Sequence, residues 1–148
     1  MQDLEQTYPA VPDSVRAARR ALTHFATQTG ATGEQVEAVR LAASEALTNV
    51  VKHAYPDRPG SIHITAVVAC GELVVEIADD GCGIRPHCHR GGLGLGLTLI
   101  ASLCDELQIV KRPSGGVQLW LWFKLRTTAP ADGGQPRGSV SCATSPAR

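Results

Sequence analysis

The chain is expected to fold as an α+β two-layer sandwich, with a mixed, mostly antiparallel sheet and its helices on one face. Three observations predict this. Two amphipathic helical segments stand together in the first third of the chain. Hairpin-like pairs of alternating segments follow, joined by short Gly turns. Strands and helices are grouped rather than strictly alternating, so the helices have one sheet face to cover.

The elements follow in order. Leu4 to Tyr8 suits a short edge strand. Val15, Ala18, Leu22 and Phe25 recur at helical spacing, with Arg16, Arg19 and Arg20 elsewhere, and Gly30 marks the end of this helix. Thr32 and Gln35 have capping-box spacing and begin a second helix. Its core face is Val36, Val39, Ala43, Ala46 and Val50, and Pro56 lies beyond its end. Ile62, Ile64, Ala66 and Val68 alternate with His63, Thr65 and Val67. After a turn near Gly71, Leu73, Val75 and Ile77 alternate with Glu72, Val74 and Glu76. The segment Gly81 to Gly96 is Gly-rich and aperiodic. A helix carrying Leu97, Ile100, Cys104 and Leu107 on one face follows, then a strand from Leu107 to Lys111. Gly115-Gly116 turn the chain into a strongly alternating strand, Val117 to Leu125. From Thr127 onward Pro, Gly, Ser, Thr and Ala dominate, which reads as a disordered tail over residues 127–148. Residues 1–126 form the single expected domain.

Composition excludes several classes. In 148 residues, 14 Lys plus Arg balance 14 Asp plus Glu, so the basic excess of a nucleic-acid binder is missing. The polar start MQDLEQTY is no signal peptide, and no apolar run approaches the ~20 residues of a membrane span. Five cysteines without a C-x-x-C pair fit a reducing compartment better than a disulfide framework, so a cytoplasmic protein is expected.

The stretch EALTNVVKHAY places Glu45, Asn49 and His53 at intervals of four, forming one polar stripe on a helix rich in Ala46, Leu47 and Val50. Taken alone, such a stripe is a solvated face or a functional one. Asp79-x-Gly81-x-Gly83 ends the second strand, and Gly92-x-Gly94-x-Gly96 directly precedes a helix. Glycines there let the backbone approach phosphates, and free N–H groups with the helix dipole favour anions. A carboxylate at a strand end accepts a hydrogen bond from an exocyclic amine such as adenine's. A P-loop is excluded because no Lys follows Gly96. A dinucleotide fingerprint needs Gly at position 97, where Leu97 stands.

In this order the three motifs resemble the ATP-binding superfamily of histidine kinases, gyrase, Hsp90 and MutL. The short chain and the HAY after the helix resemble its anti-sigma-factor serine/threonine kinases. The resemblance implies a histidine-kinase-like (Bergerat) fold, binding of ATP and Mg²⁺, and phosphorylation of an antagonist protein by a kinase that also holds a sigma factor. It implies Asn49 as the residue reaching Mg²⁺, Glu45 as general base and Asp79 as reader of adenine. Gly81, Gly83, Gly92, Gly94 and Gly96 would then line the nucleotide. His53 serves the phosphate end or packs at the helix terminus. Asp80 reads as solvated. The family's Gly-Gly-Thr is Gly115-Gly116-Val117 here, so a supporting hydroxyl is missing. The alternative is a nucleotide-dependent binding module without transfer.

Cys82, His87, Cys88 and His89 match no zinc spacing, and the segment Ile84 to Gly92 reads as a lid. On the last strand, Gln118, Trp120, Trp122 and Lys124 point away from the helices, beside Val67 and Val74. An exposed tryptophan pair there predicts an interface, most simply a homodimer.

Overall fold

The computed structural model describes residues 2–83 and 93–126, with residues 93–95 described by backbone alone. The order is β1 (Asp3–Pro9), α1 (Pro12–Gln28), α2 (Gly33–Asn49), a π-helical turn (Val50–Ala54), β2 (Ser61–Ala69) and β3 (Glu72–Asp79). Then come α3 (Leu93–Leu103), β4 (Glu106–Lys111) and β5 (Val117–Lys124). The sheet runs β1-β2-β3-β5-β4 and every neighbouring pair is antiparallel. The expected mixed character is therefore refined. β3 and β4 run the same way, but β5 lies between them, so no parallel pair forms.

One core fills the space between helices and sheet. Ala18 and Leu22 of α1 and Val39, Ala46 and Leu47 of α2 are essentially inaccessible, as are Ile62, Ile64, Leu73, Ile77 and Leu121 of the sheet. Each fully buried Leu or Ile contributes about 1.5–3 kcal/mol. Alanines on α2 let the helix approach the sheet closely. The expected capping box is present: Gln35 N donates to Thr32 Oγ1 at 3.2 Å, and Thr32 N donates to Gln35 Oε1 at 3.1 Å. Gln35 is buried because its Nε2 also donates to the Lys124 carbonyl at 2.5 Å, tying the start of α2 to the end of β5. Val36, placed on the core face by periodicity, is only half-buried, and Leu47 takes a core position instead.

Two expectations change. Trp120 and Trp122 do share the outer face, with ring centroids 6.2 Å apart and planes at 28°. Trp122 and its register partner Val74 are nonetheless buried, at 6% and 8% exposure, and only Trp120 stays partly open. The stacked neighbour and the partners flanking Trp122, Val74 on β3 and Glu106 on β4, surround it within the sheet's own face. Among the described residues Cys70 is disulfide-bonded, whereas Cys82 and Cys104 are not. Among the described residues, no helix is long and apolar enough to cross a membrane. The 127–148 segment and the Ile84 to Gly92 lid lie outside the described residues.

Candidate functional site

One cleft opens between the end of α2, the start of α3 and the ends of β3 and β5. Asn49, His53, Asp79, Gly83, Leu97 and Val117 all line it. Residues 30 positions apart along the chain thus meet in one place because α2 lies across the strand ends.

The helix side comes first. Asn49 is the last residue of α2, and His53 lies in the π-helical turn that continues it. Insertion of a wider turn at such a point is common at functional sites. Asn49 Nδ2 is buried and has no hydrogen-bond partner among the described residues. A buried unsatisfied donor costs about 1–3 kcal/mol, so its retention calls for an explanation. Glu45 stands one turn earlier and does not line the cleft, but it meets α3 at Gly96. A Cβ on Gly96 would sit 2.5 Å from Glu45 Oε1 and 3.2 Å from Asn49 Nδ2. Glycine there lets the first turn of α3 lie against both side chains without displacing the Glu45 carboxylate. Gly94 is also inside that turn, so these glycines open the helix rather than merely preceding it. Gly92 falls outside the described residues.

At the strand side, Asp79 ends β3 and is 6% exposed. Its Oδ1 accepts from Gly81 N at 2.9 Å and, more weakly, from Val117 N at 3.4 Å. Both bonds fall on one oxygen, Oδ1. Burial raises the Asp79 pKa, opposed by these backbone bonds; the neighbouring Asp80 adds to the rise and Arg112 opposes it. Gly81 packs on the end of the π-helical turn, where Cys82 N donates to the Ala54 carbonyl at 2.8 Å. Gly83 turns the chain with φ +73°.

Two features were missed by the sequence reading. Gly116 is more than a turn residue, since a Cβ there would fall 1.9 Å from the Asp79 carbonyl oxygen. The doublet before β5 was the available signal. Asp80, read as solvated, instead pairs with His63 Nε2 at 2.9 Å and accepts from Ser114 Oγ at 2.9 Å. Those partners are distant in sequence, so only the sheet register reveals them. Val117 contributes its backbone N–H where a hydroxyl was missed. Of the Cys/His group only Cys82 is described; among the described residues no three His, Cys, Asp or Glu gather to hold a metal.

Comparisons with known proteins identify the family. The histidine kinase-like ATPase domain family matches residues 8–123. An anti-sigma F factor of Clostridium acetobutylicum is 29% identical over 129 residues, covering 78% of this chain and 89% of that protein. The serine-protein kinase RsbW of Bacillus cereus is 31% identical, covering 74% of this chain and 78% of that one. The solved RsbU and RsbW domains of Rv1364c from Mycobacterium tuberculosis superpose with a TM-score of 0.67 at 25% identity over 84% of this chain. This chain spans about a third (33%) of that longer one. A cleft combining a helix-borne Asn, a buried strand-end Asp and close-packed glycines, with a Glu one turn before that Asn, within a match over most of the sequence, leads to one conclusion: the chain belongs to the histidine kinase-like ATPase family, alongside the anti-sigma F factors and RsbW-type serine-protein kinases.

Proposed function

We propose that the chain is an ATP-dependent anti-sigma factor that phosphorylates a serine or threonine of an antagonist protein. One observation carries the reading of the site: a buried carboxylate whose backbone bonds fall on one oxygen, and a buried amide nitrogen with no hydrogen-bond partner among the described residues, line the same cleft. Asp79 Oδ2 suits the adenine amine. The Asn49 amide suits the phosphate end, where its Nδ2 would donate to a phosphate oxygen and its oxygen would help hold Mg²⁺. Oxygen donors are what a hard cation takes, so the residues fit it. The chemistry a cation would supply there is charge neutralisation of the phosphates.

Glu45 is the base. Its carboxylate accepts the proton of the acceptor hydroxyl as that oxygen forms a bond to the γ-phosphorus. The bond from the γ-phosphorus to the β–γ bridging oxygen breaks, and ADP leaves with that electron pair. His53 lines the same cleft and serves its phosphate end. A sigma factor and an antagonist protein are the partners. A homodimer through the outer sheet face belongs to the same reading, with Trp120 at its centre.

A binding module without transfer is the second reading, favoured by the place of Glu45 outside the cleft lining. Labelled ATP separates the two. Purified wild type should transfer label to antagonist proteins from its native cytoplasm. Glu45→Gln should bind ATP with wild-type affinity and transfer at least a hundredfold more slowly. Transfer at the wild-type rate by Glu45→Gln removes the base assignment. ATP binding without transfer by the wild type establishes the module.

A further inference from the structure

Asp80 follows the proposed adenine reader and has a web of contacts that the proposed function does not use. Its Oδ2 meets His63 Nε2 at 2.9 Å, and His63 Nδ1 meets Thr7 Oγ1 of the edge strand at 3.1 Å. Its Oδ1 accepts from Ser114 Oγ at 2.9 Å and faces the Arg112 guanidinium at 3.6 Å. Its N–H donates to Tyr55 Oη at 2.8 Å, and Tyr55 Oη donates to the Ser61 carbonyl at 2.6 Å. Its carbonyl accepts from an Arg58 terminal nitrogen at 2.8 Å. One residue thereby ties together β1, β2, the segment after the π-helical turn and the β4–β5 turn.

We infer that Asp80 is a positioning residue for the nucleotide site: through Ser114 and Arg112 it holds the β4–β5 turn against the end of β3. This rests on the reading of Asp79 as the adenine carboxylate. That turn carries Gly116, which touches the Asp79 carbonyl, and Val117, whose N–H reaches Asp79 Oδ1 across 3.4 Å. A bond that long lies near its limit, so a few tenths of an ångström of drift removes it. The side chain at 117 has no hydroxyl to restore the link, so the backbone distance alone sets what β5 adds to the support that Gly81 N already gives Asp79. His63 and Asp80 are both about a third exposed, at 35% and 39%. Pairs so exposed add little to global stability. The network's consequence is therefore geometric, and it falls on the adjacent carboxylate.

ATP affinity by calorimetry, with melting temperature measured on the same samples, tests this. Asp80→Ala should weaken ATP binding about tenfold while melting within a few degrees of wild type. Asp80→Asn, which still accepts from Ser114, should recover most of that loss, and Ser114→Ala should weaken binding about threefold. Unchanged affinity in Asp80→Ala overturns the inference. So does a loss of affinity in Asp80→Asn as large as in Asp80→Ala. Absence of ATP binding by the wild type overturns instead the adenine reading beneath it.

Discussion

At the strand end of the cleft, Asp79 Oδ1 accepts from the backbone N–H groups of Gly81 and Val117, and Gly116 packs closely on the Asp79 carbonyl. At the helix end, Asn49 carries a buried donor with no partner among the described residues, pressed by Gly96. The first end is built before any ligand arrives. The second leaves its hydrogen bonding to be completed from outside. A carboxylate fixed in place discriminates between bases, because a misplaced amine leaves a buried acceptor unsatisfied. Phosphates vary in number and change during transfer, so an end that gains its last partners from the ligand suits them.

The largest effect should come from breaking the prebuilt end. Gly116→Ala puts a methyl group where the Asp79 carbonyl stands, 1.9 Å away, so main chain must move. ATP binding should fall below detection in calorimetry, with a stability loss of about 3 kcal/mol by denaturant titration. Near wild-type binding would show that the β4–β5 turn is not held against β3.

Asp79→Asn tests the chemistry rather than the shape. Losing a charge-assisted acceptor costs about 1.5–3 kcal/mol, or about ten- to a hundredfold in ATP affinity. Because burial raises the Asp79 pKa, the wild type should lose affinity on acidification at a higher pH than an ordinary carboxylate would cause. The sign for stability is opposite: the folded state holds this proton more tightly than the unfolded chain does. Asp79 therefore disfavours folding as pH rises from the usual carboxylate pKa through its raised value. Asp80 has its pKa lowered, chiefly by the His63 bond and then by Ser114. Its contribution is present above the ordinary carboxylate range and fades as pH falls through the lowered value. Calorimetry across a pH series should show the acid limb of ATP binding in wild type and its absence in Asp79→Asn.

Val117→Thr is the smallest change. A hydroxyl beside Asp79 is worth about 1 kcal/mol, or about fivefold tighter ATP binding. Unaltered affinity would show that the backbone N–H already supplies what the hydroxyl would.

The sandwich, the capping box at Thr32 and Gln35, and the cleft positions of Asn49, His53 and Asp79 were legible in the sequence. Each depends on local spacing: helical period, strand alternation, or a motif within a few residues. What was not legible there depends on register between distant strands. His63 faces Asp80 because β2 pairs with β3, and Ser114 reaches it because β5 lies on the other side of β3. The burial of Trp122 was missed for the same reason, since its flanking partners Val74 and Glu106 lie on two different strands. The π-helical turn at Val50–Ala54 has no spacing signature, because the Asn49 to His53 interval reads equally well as an α-helix.

The contrast between the two ends is tested most directly by titrating ATP, with and without Mg²⁺, into wild type, Asn49→Ala and Asp79→Asn. Asn49→Ala should keep the Mg²⁺-free affinity within about threefold and lose the gain that Mg²⁺ brings, while Asp79→Asn should lose about ten- to a hundredfold under both conditions and keep that gain. The opposite pattern, with Asp79→Asn losing only the Mg²⁺-dependent gain, would place the phosphates at the strand end and contradict the account.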